Sequence, residues 1–186
     1  MTEITVRRAT PADLDGILEI LRRNHIENLS AEERDEGFLS ARFSREQLAE
    51  MINDIGVVVA CDRDEVVGFL CATHPEFDHG APIIETMLDT CTQAEYDGQQ
   101  LSNYRLFIYG PVCIDQSHRG QGLLSDLFAK LIQLVADQFE IGIAFVAHQN
   151  PHSLGAHTEG LGMTAVRNFA WNDDEYALLA FPVSLE

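Results

Sequence analysis

Positive charge is what this chain has least of. Lysine and arginine together number 12, with Lys130 the one lysine, against 30 aspartates and glutamates, for a formal net charge of −18. Such a surface repels a phosphate backbone, so no nucleic-acid partner is expected. A negative field does steer cations, which leans towards a cationic small molecule or peptide, although acidity also serves solubility. Long apolar runs are missing too: none reaches the roughly 20 residues that cross a bilayer, so no membrane partner is expected. Met1-Thr2-Glu3-Ile4 has no basic stretch leading into an apolar one. No secretion signal is read there, and the expected location is cytoplasmic. The four cysteines, Cys61, Cys71, Cys91 and Cys113, show no close pairing and sit mostly inside apolar runs. They read as reduced, buried thiols rather than a disulfide framework. Repeats, low-complexity tracts and linkers are absent, so residues 1–186 read as a single domain.

What is present is a succession of periodic segments. Thr2 to Ala9 alternates as a strand with Ile4 and Val6 on one face. Thr10-Pro11-Ala12-Asp13 then marks a helix start, and Leu14, Ile17, Leu18 and Leu21 follow at helical spacing. Asn24 to Phe43 is polar and acidic with no firm period, a loop or short helix over the substrate side. Ser44 with Gln47 forms a capping box before Leu48, Met51 and Ile52. Val57–Cys61 and Val66–Ala72 flank Asp62-Arg63-Asp64-Glu65 as a hairpin. The pattern changes over Thr73–Asn103, which reads as a partly exposed insertion with a helix near Ile83–Cys91. Next come a strand over Leu106–Ile114, a helical stripe from Leu123 to Val135, and a strand over Ile141–Ala147. That order implies a parallel pair with a right-handed crossover. A turn at Asn150-Pro151-His152-Ser153 leads into a short helix, and strands Met163–Trp171 and Glu175–Val183 close the chain. The expected fold is α/β: a mixed, mostly antiparallel sheet with a splayed parallel pair and helices on both faces.

The chemistry concentrates between Tyr104 and Phe139. Gly110-Pro111 interrupts a buried strand, removes a ladder bond, and implies a bulge or splay that frees main-chain groups for a ligand. The strand runs through Asp115-Gln116-Ser117 into His118-Arg119-Gly120-Gln121-Gly122 and directly into the leucine-rich helix. Glycines let amides approach an anion closely, and the helix start presents unpaired N–H groups and its positive dipole end. Arg119 adds a cation in a chain that has few. No lysine stands where a Walker loop needs one, and the early strand–helix–strand unit of a dinucleotide fold is missing. His148, His152 and His157 are close in sequence, but no cysteine or carboxylate stands at ligand spacing near them. No metal is expected.

At these residues the chain resembles the GNAT family of acyl-CoA-dependent N-acyltransferases, in element order as well as motif, over essentially its whole length apart from the insertion at about 73–103. Arg119-Gly120-Gln121-Gly122 matches the core of the family's Gln/Arg-x-x-Gly-x-Gly/Ala signature, with Ser117 in place of the usual first Gln or Arg. The resemblance implies that amides of Arg119, Gly120, Gln121, Gly122, Leu123 and Leu124 hold the pyrophosphate of coenzyme A. Val112, Cys113 and Ile114 would run beside the pantetheine arm and meet the thioester carbonyl. Asn150 and Ser153 would contact that arm. His157 stands where many members carry a tyrosine that protonates the departing thiolate, although counting back from Gly162 lands on Thr158, so about one residue is extra here. A histidine suits proton transfer near neutrality. Direct transfer is favoured over an acyl-enzyme on Cys113. His25, Glu27, Glu85, Asp115 and His148 are candidates for the base, and no spacing singles one out. The implied function is acetyl transfer from acetyl-CoA to a primary amine of a small molecule or peptide, and a homodimer is compatible. A non-catalytic acyl-CoA-binding sensor or scaffold is the alternative.

Overall fold

The alternation at Ile4 and Val6 becomes strand β1 (Ile4–Arg8); Thr2, the expected start, lies outside residues 4–184, which the computed structural model describes. After β1, the main-chain N–H and hydroxyl of Thr10 both donate to the Asp13 carboxylate, at 2.8 and 3.1 Å. Asp13 is buried and also accepts two 2.8 Å bonds from the Arg7 guanidinium, tying the helix start to β1. Helix α1 (Leu14–Asn24) buries Leu14, Ile17, Ile20 and Leu21. The aperiodic stretch after it holds a tight turn at Ile26–Asn28 and the short helix α2 (Ala31–Asp35). Ser30 and Glu33 cap α2 reciprocally, at 2.8 and 3.2 Å. Helix α3 (Arg45–Asn53) starts at the Ser44–Gln47 box as expected, with bonds of 3.0 and 3.1 Å.

Strands β2 (Gly56–Asp62) and β3 (Glu65–Thr73) form the expected hairpin. The insertion contributes helix α4 (Ile83–Cys91) and a two-rung hairpin of β4 (Glu95–Tyr96) and β5 (Gln99–Gln100). Its helix buries Met87 and Cys91 against Ile108, Ile141 and Phe169, so the insertion covers part of the sheet. Strand β6 (Leu106–Ile114), helix α5 (Leu123–Val135) and strand β7 (Ile141–Ala147) make the strand–helix–strand unit. Helix α6 (Pro151–Gly155) and strands β8 (Thr164–Trp171) and β9 (Asp174–Pro182) complete the fold.

The main sheet runs β1-β2-β3-β6-β7-β9-β8. Its neighbours pair antiparallel except β6 and β7, which are parallel. Side chains alternate across it as strand geometry demands. Phe107 and Tyr109 join α5 in one cluster, and Ile108 joins α4 on the opposite face. Helices α1 and α3 pack with Val57, Val59 and Phe69 in a further cluster. All four cysteines are free and buried, as read from sequence.

Candidate active site

Two irregularities in β6 open the centre of the sheet. Leu70 of β3 faces Val112 and Ala72 faces Tyr109, so β6 carries one residue more than its partner across that stretch. The extra residue falls at Gly110-Pro111, where the sequence called for a bulge. On the other side, β6 pairs with β7 only from Leu106 to Ile108, against Ile141 to Ile143. Beyond Ile108 the two strands diverge and leave a wedge between them.

Two cavities meet in that wedge. One, of about 370 Å³, runs past Cys113, Ile114, Arg119, Gly120, Gly122 and Leu123. The other, of about 180 Å³, lies among Phe43, Ile84, Ile108, Pro111, Phe145 and Tyr176. Phe38, Leu39, Val112, Ser153 and His157 belong to both. A ligand lying in the first therefore reaches the second at Val112 and His157.

The larger cavity ends on the start of α5. Gly120 and Gly122 have φ of +72° and +83°, and a Cβ on either would meet nothing within 4 Å. Packing does not require glycine there; the left-handed backbone does. No side chain caps α5, which leaves its first amides for a ligand. The Arg119 side chain has structural partners: Nε donates to the Ile114 carbonyl (3.1 Å), Nη1 to the Glu36 carbonyl (3.0 Å) and Nη2 to Asn24 Oδ1 (2.9 Å). It ties the segment before Phe38 to β6 and α1. Gln121 and its neighbour Gly122 are exposed, and Gln121 Nε2 reaches the Ser117 carbonyl at 3.4 Å. Leu123 is buried under the helix start, with Leu124 beside it on the cavity wall.

Asn150 uses its whole side chain internally. Its Nδ2 donates to the Phe38 carbonyl (3.1 Å) and its Oδ1 accepts from the Ser153 amide (3.3 Å) as the cap of α6. Arg119 and Asn150, one from each motif, thus hold opposite ends of the Glu36–Phe38 strap over the wedge. After α6 the helix widens into a π-turn at Ala156–Gly160, where the Leu161 amide bonds five residues back to Ala156, at 3.1 Å. This turn absorbs the residue that made counts from Asn150 and from Gly162 disagree. His157 sits in it, buried. Its Nδ1–H donates to the Ser153 carbonyl (2.7 Å), which leaves a lone pair on Nε2 to accept from the Tyr109 hydroxyl (3.0 Å). Burial lowers the His157 pKa, so the ring is neutral at pH 7. Burial raises that of Tyr109, which keeps its proton.

Other groups fall as follows. Burial pushes the Cys113 thiol up to about 12, so it is no thiolate nucleophile at neutral pH. Of the candidate bases, Glu27 pairs with Arg42 in solvent and Glu85 is exposed on α4. Asp115 accepts from Ser117 Oγ (2.6 Å), His148 from its exposed place meets Asn168 Oδ1 (3.1 Å), and His25 caps the Ile26–Asn28 turn. None of these five lines either of the two cavities. The sequence reading overlooked Tyr109 and His79. Tyr109 was detectable through its alternation with Phe107; nothing near His79, inside an insertion, gave a signal. His79 is buried, its pKa lowered chiefly by that burial, with Nε2 bonded to Thr73 Oγ1 at 2.8 Å.

Comparison with known proteins agrees with this architecture. Among solved structures, Arabidopsis thaliana NAA60 in complex with acetyl-CoA aligns with a TM-score of 0.66 and 16% identity, covering 97% of this chain and 98% of that one. The ribosomal-protein-S18-alanine N-acetyltransferase from Escherichia coli gives 0.63 and 14%, over 99% and 96%. The putative acetyltransferase yncA from Salmonella typhimurium, with its cofactor acetyl-CoA, gives 0.62 and 16%, over 98% and 95%. At such identities the likeness is one of fold. A search of curated proteins returns no significant match. The family model described as acetyltransferase (GNAT) family matches residues 14–163, a span running from α1 past the bulged strand and the glycine loop to the residue after Gly162. The chain belongs to the GNAT family of acetyltransferases.

Proposed function

We propose that the protein moves an acetyl group from acetyl-CoA to a primary amine by direct transfer. The observation that carries this is the meeting of the two cavities at Val112 and His157. Acetyl-CoA fits the residues present: glycines in left-handed conformation and an uncapped helix start suit a diphosphate, and the open wedge suits an extended pantetheine arm. The amides from Arg119 to Leu124 would hold the diphosphate. Val112, Cys113 and Ile114, with Ser153 opposite, would flank the arm, and Asn150 would act by fixing the strap above it. Bound coenzyme supplies an activated acyl group on a stable leaving thiol.

The rest is the work of this chain's own side chains. A β6 amide just past the bulge, at Cys113 or Ile114, would stabilise the oxyanion, a contribution of ~3 kcal/mol for one such donor in a dry site. The neutral amine attacks, a C–N bond forms, and one N–H proton passes to the Nε2 lone pair of His157, from which the Tyr109 hydroxyl turns away. As the C–S bond breaks, the same proton moves from Nε2 to sulfur. The Cys113 thiol, protonated at neutral pH, leaves direct transfer as the reading the chemistry supports.

Gly120→Glu sets bulk and negative charge where the diphosphate would lie, and should abolish acetyl-CoA binding in calorimetry while the fold, read by circular dichroism, is kept. Wild-type affinity in that variant would move the coenzyme elsewhere. Saturable acetyl-CoA binding with no thiol release over a broad amine panel would favour a binding module instead.

A further inference from the structure

The charge of this protein and the character of its inner cavity point in opposite directions. The chain carries a formal −18, yet among the described residues no Asp, Glu, Lys or Arg lines the smaller cavity. Aliphatic and aromatic groups do: Phe38 and Phe43 from the strap side, Ile83 and Ile84 from α4, Ile108 from β6 and Phe145 from β7. Its two histidines, His79 and His157, are both kept neutral by burial, and its two tyrosines, Tyr109 and Tyr176, keep their protons because burial raises the pKa of both. A second ammonium entering here would leave water without meeting a counter-charge. An apolar body would lose only its ordered water. The volume, about 180 Å³, is close to that of apolar cavities of ~150 Å³ that admit one benzene ring.

Resting on the acetyltransferase reading, we propose that the acceptor is a compact amine with a single ammonium group and an uncharged apolar or aryl body. The body lies between the Phe38–Phe43 segment and the start of α4, and the amine points towards the junction at Val112 and His157. Two sources share that chemistry: a free aryl-alkyl amine, and the N-terminal residue of a peptide with an apolar side chain. The cavity is built in part by the insertion, through His79, Ala81, Ile83 and Ile84, so this segment sets the acceptor class.

The test compares coenzyme A release with phenethylamine, a tetrapeptide beginning with phenylalanine, spermidine, and lysine blocked at its α-amine, alongside acetyl-CoA affinity by calorimetry. Phenethylamine or the peptide should exceed spermidine and blocked lysine by at least about tenfold in kcat/KM, and the better of the two identifies the source. Ala81→Asp adds a carboxylate at an exposed rim position where no packing is lost. It should lower that ratio by at least about tenfold with acetyl-CoA affinity unchanged. A preference for spermidine or lysine, or a ratio that Ala81→Asp does not move, with acetyl-CoA still binding, overturns the acceptor class and leaves acetyl transfer standing. Absence of acetyl-CoA binding overturns both.

Discussion

His157 engages both ring nitrogens, one with the Ser153 carbonyl and one with the Tyr109 hydroxyl, and burial holds its pKa below the ordinary imidazole value. The unfolded chain therefore takes up that proton first as pH falls. Neutral His157 contributes stability that is full above about pH 6.5, the unfolded value, and is lost as pH drops through the lower native value. His79 acts in the same direction. Unfolding free energy from urea titrations should thus fall as pH drops below about 6.5, the unfolded value, and His157→Gln should flatten part of that slope. An unaltered slope in the variant would show that His157 does not titrate on unfolding. Gly122 is a different kind of residue, needed for its φ of +83° alone. Gly122→Ala places a side chain in the left-handed region at a cost of ~1–2 kcal/mol. Its Cβ enters the open cradle, so acetyl-CoA affinity should fall along with the unfolding midpoint; a loss in one without the other would separate cradle from strain.

At the scale of elements, local chemistry marks the starts of helices plainly. Ser44 and Gln47 announce α3 in sequence and bond reciprocally in the fold, so Ser44→Ala should cost ~1 kcal/mol with no change in the denaturant slope. A changed slope would mean that more than the cap is lost. The bulge at Gly110-Pro111 was legible for a similar reason, since proline cannot donate to a ladder. Helix α2 falls in the stretch expected as a loop or short helix; its bounds were not legible because its five residues have no apolar period, although Ser30 and Glu33 carry a capping box. The π-turn was legible only as a miscount between Asn150 and Gly162. Which carbonyls Arg119 and Asn150 would reach was not legible at all: Glu36 and Phe38 are 83 and 112 residues away in sequence.

For the whole molecule, the net charge of −18 opposes the approach of any phosphorylated ligand, while the amides at the head of α5, the proposed diphosphate site, would attract it at contact. Raising ionic strength from about 0.01 to 0.15 M shortens the screening length from ~30 to ~8 Å, which weakens the distant repulsion more than the local attraction. Stopped-flow association of acetyl-CoA should therefore accelerate with salt. A rate that falls instead would mean that the field at the cavity mouth is positive despite the acidic surface.

Periodicity, capping residues and two glycines suffice for the element order, the bulged strand and the left-handed turns before α5, because each depends on neighbours within a few positions. What gathers around the wedge could be decided only by the closed sheet. Tyr109 beside His157, the strap pinned by Arg119 and Asn150, and the uncharged cleft roofed by the insertion all arise where distant segments exclude water together. Burial sets the protonation of those groups, and burial belongs to the packed molecule rather than to any stretch of its chain.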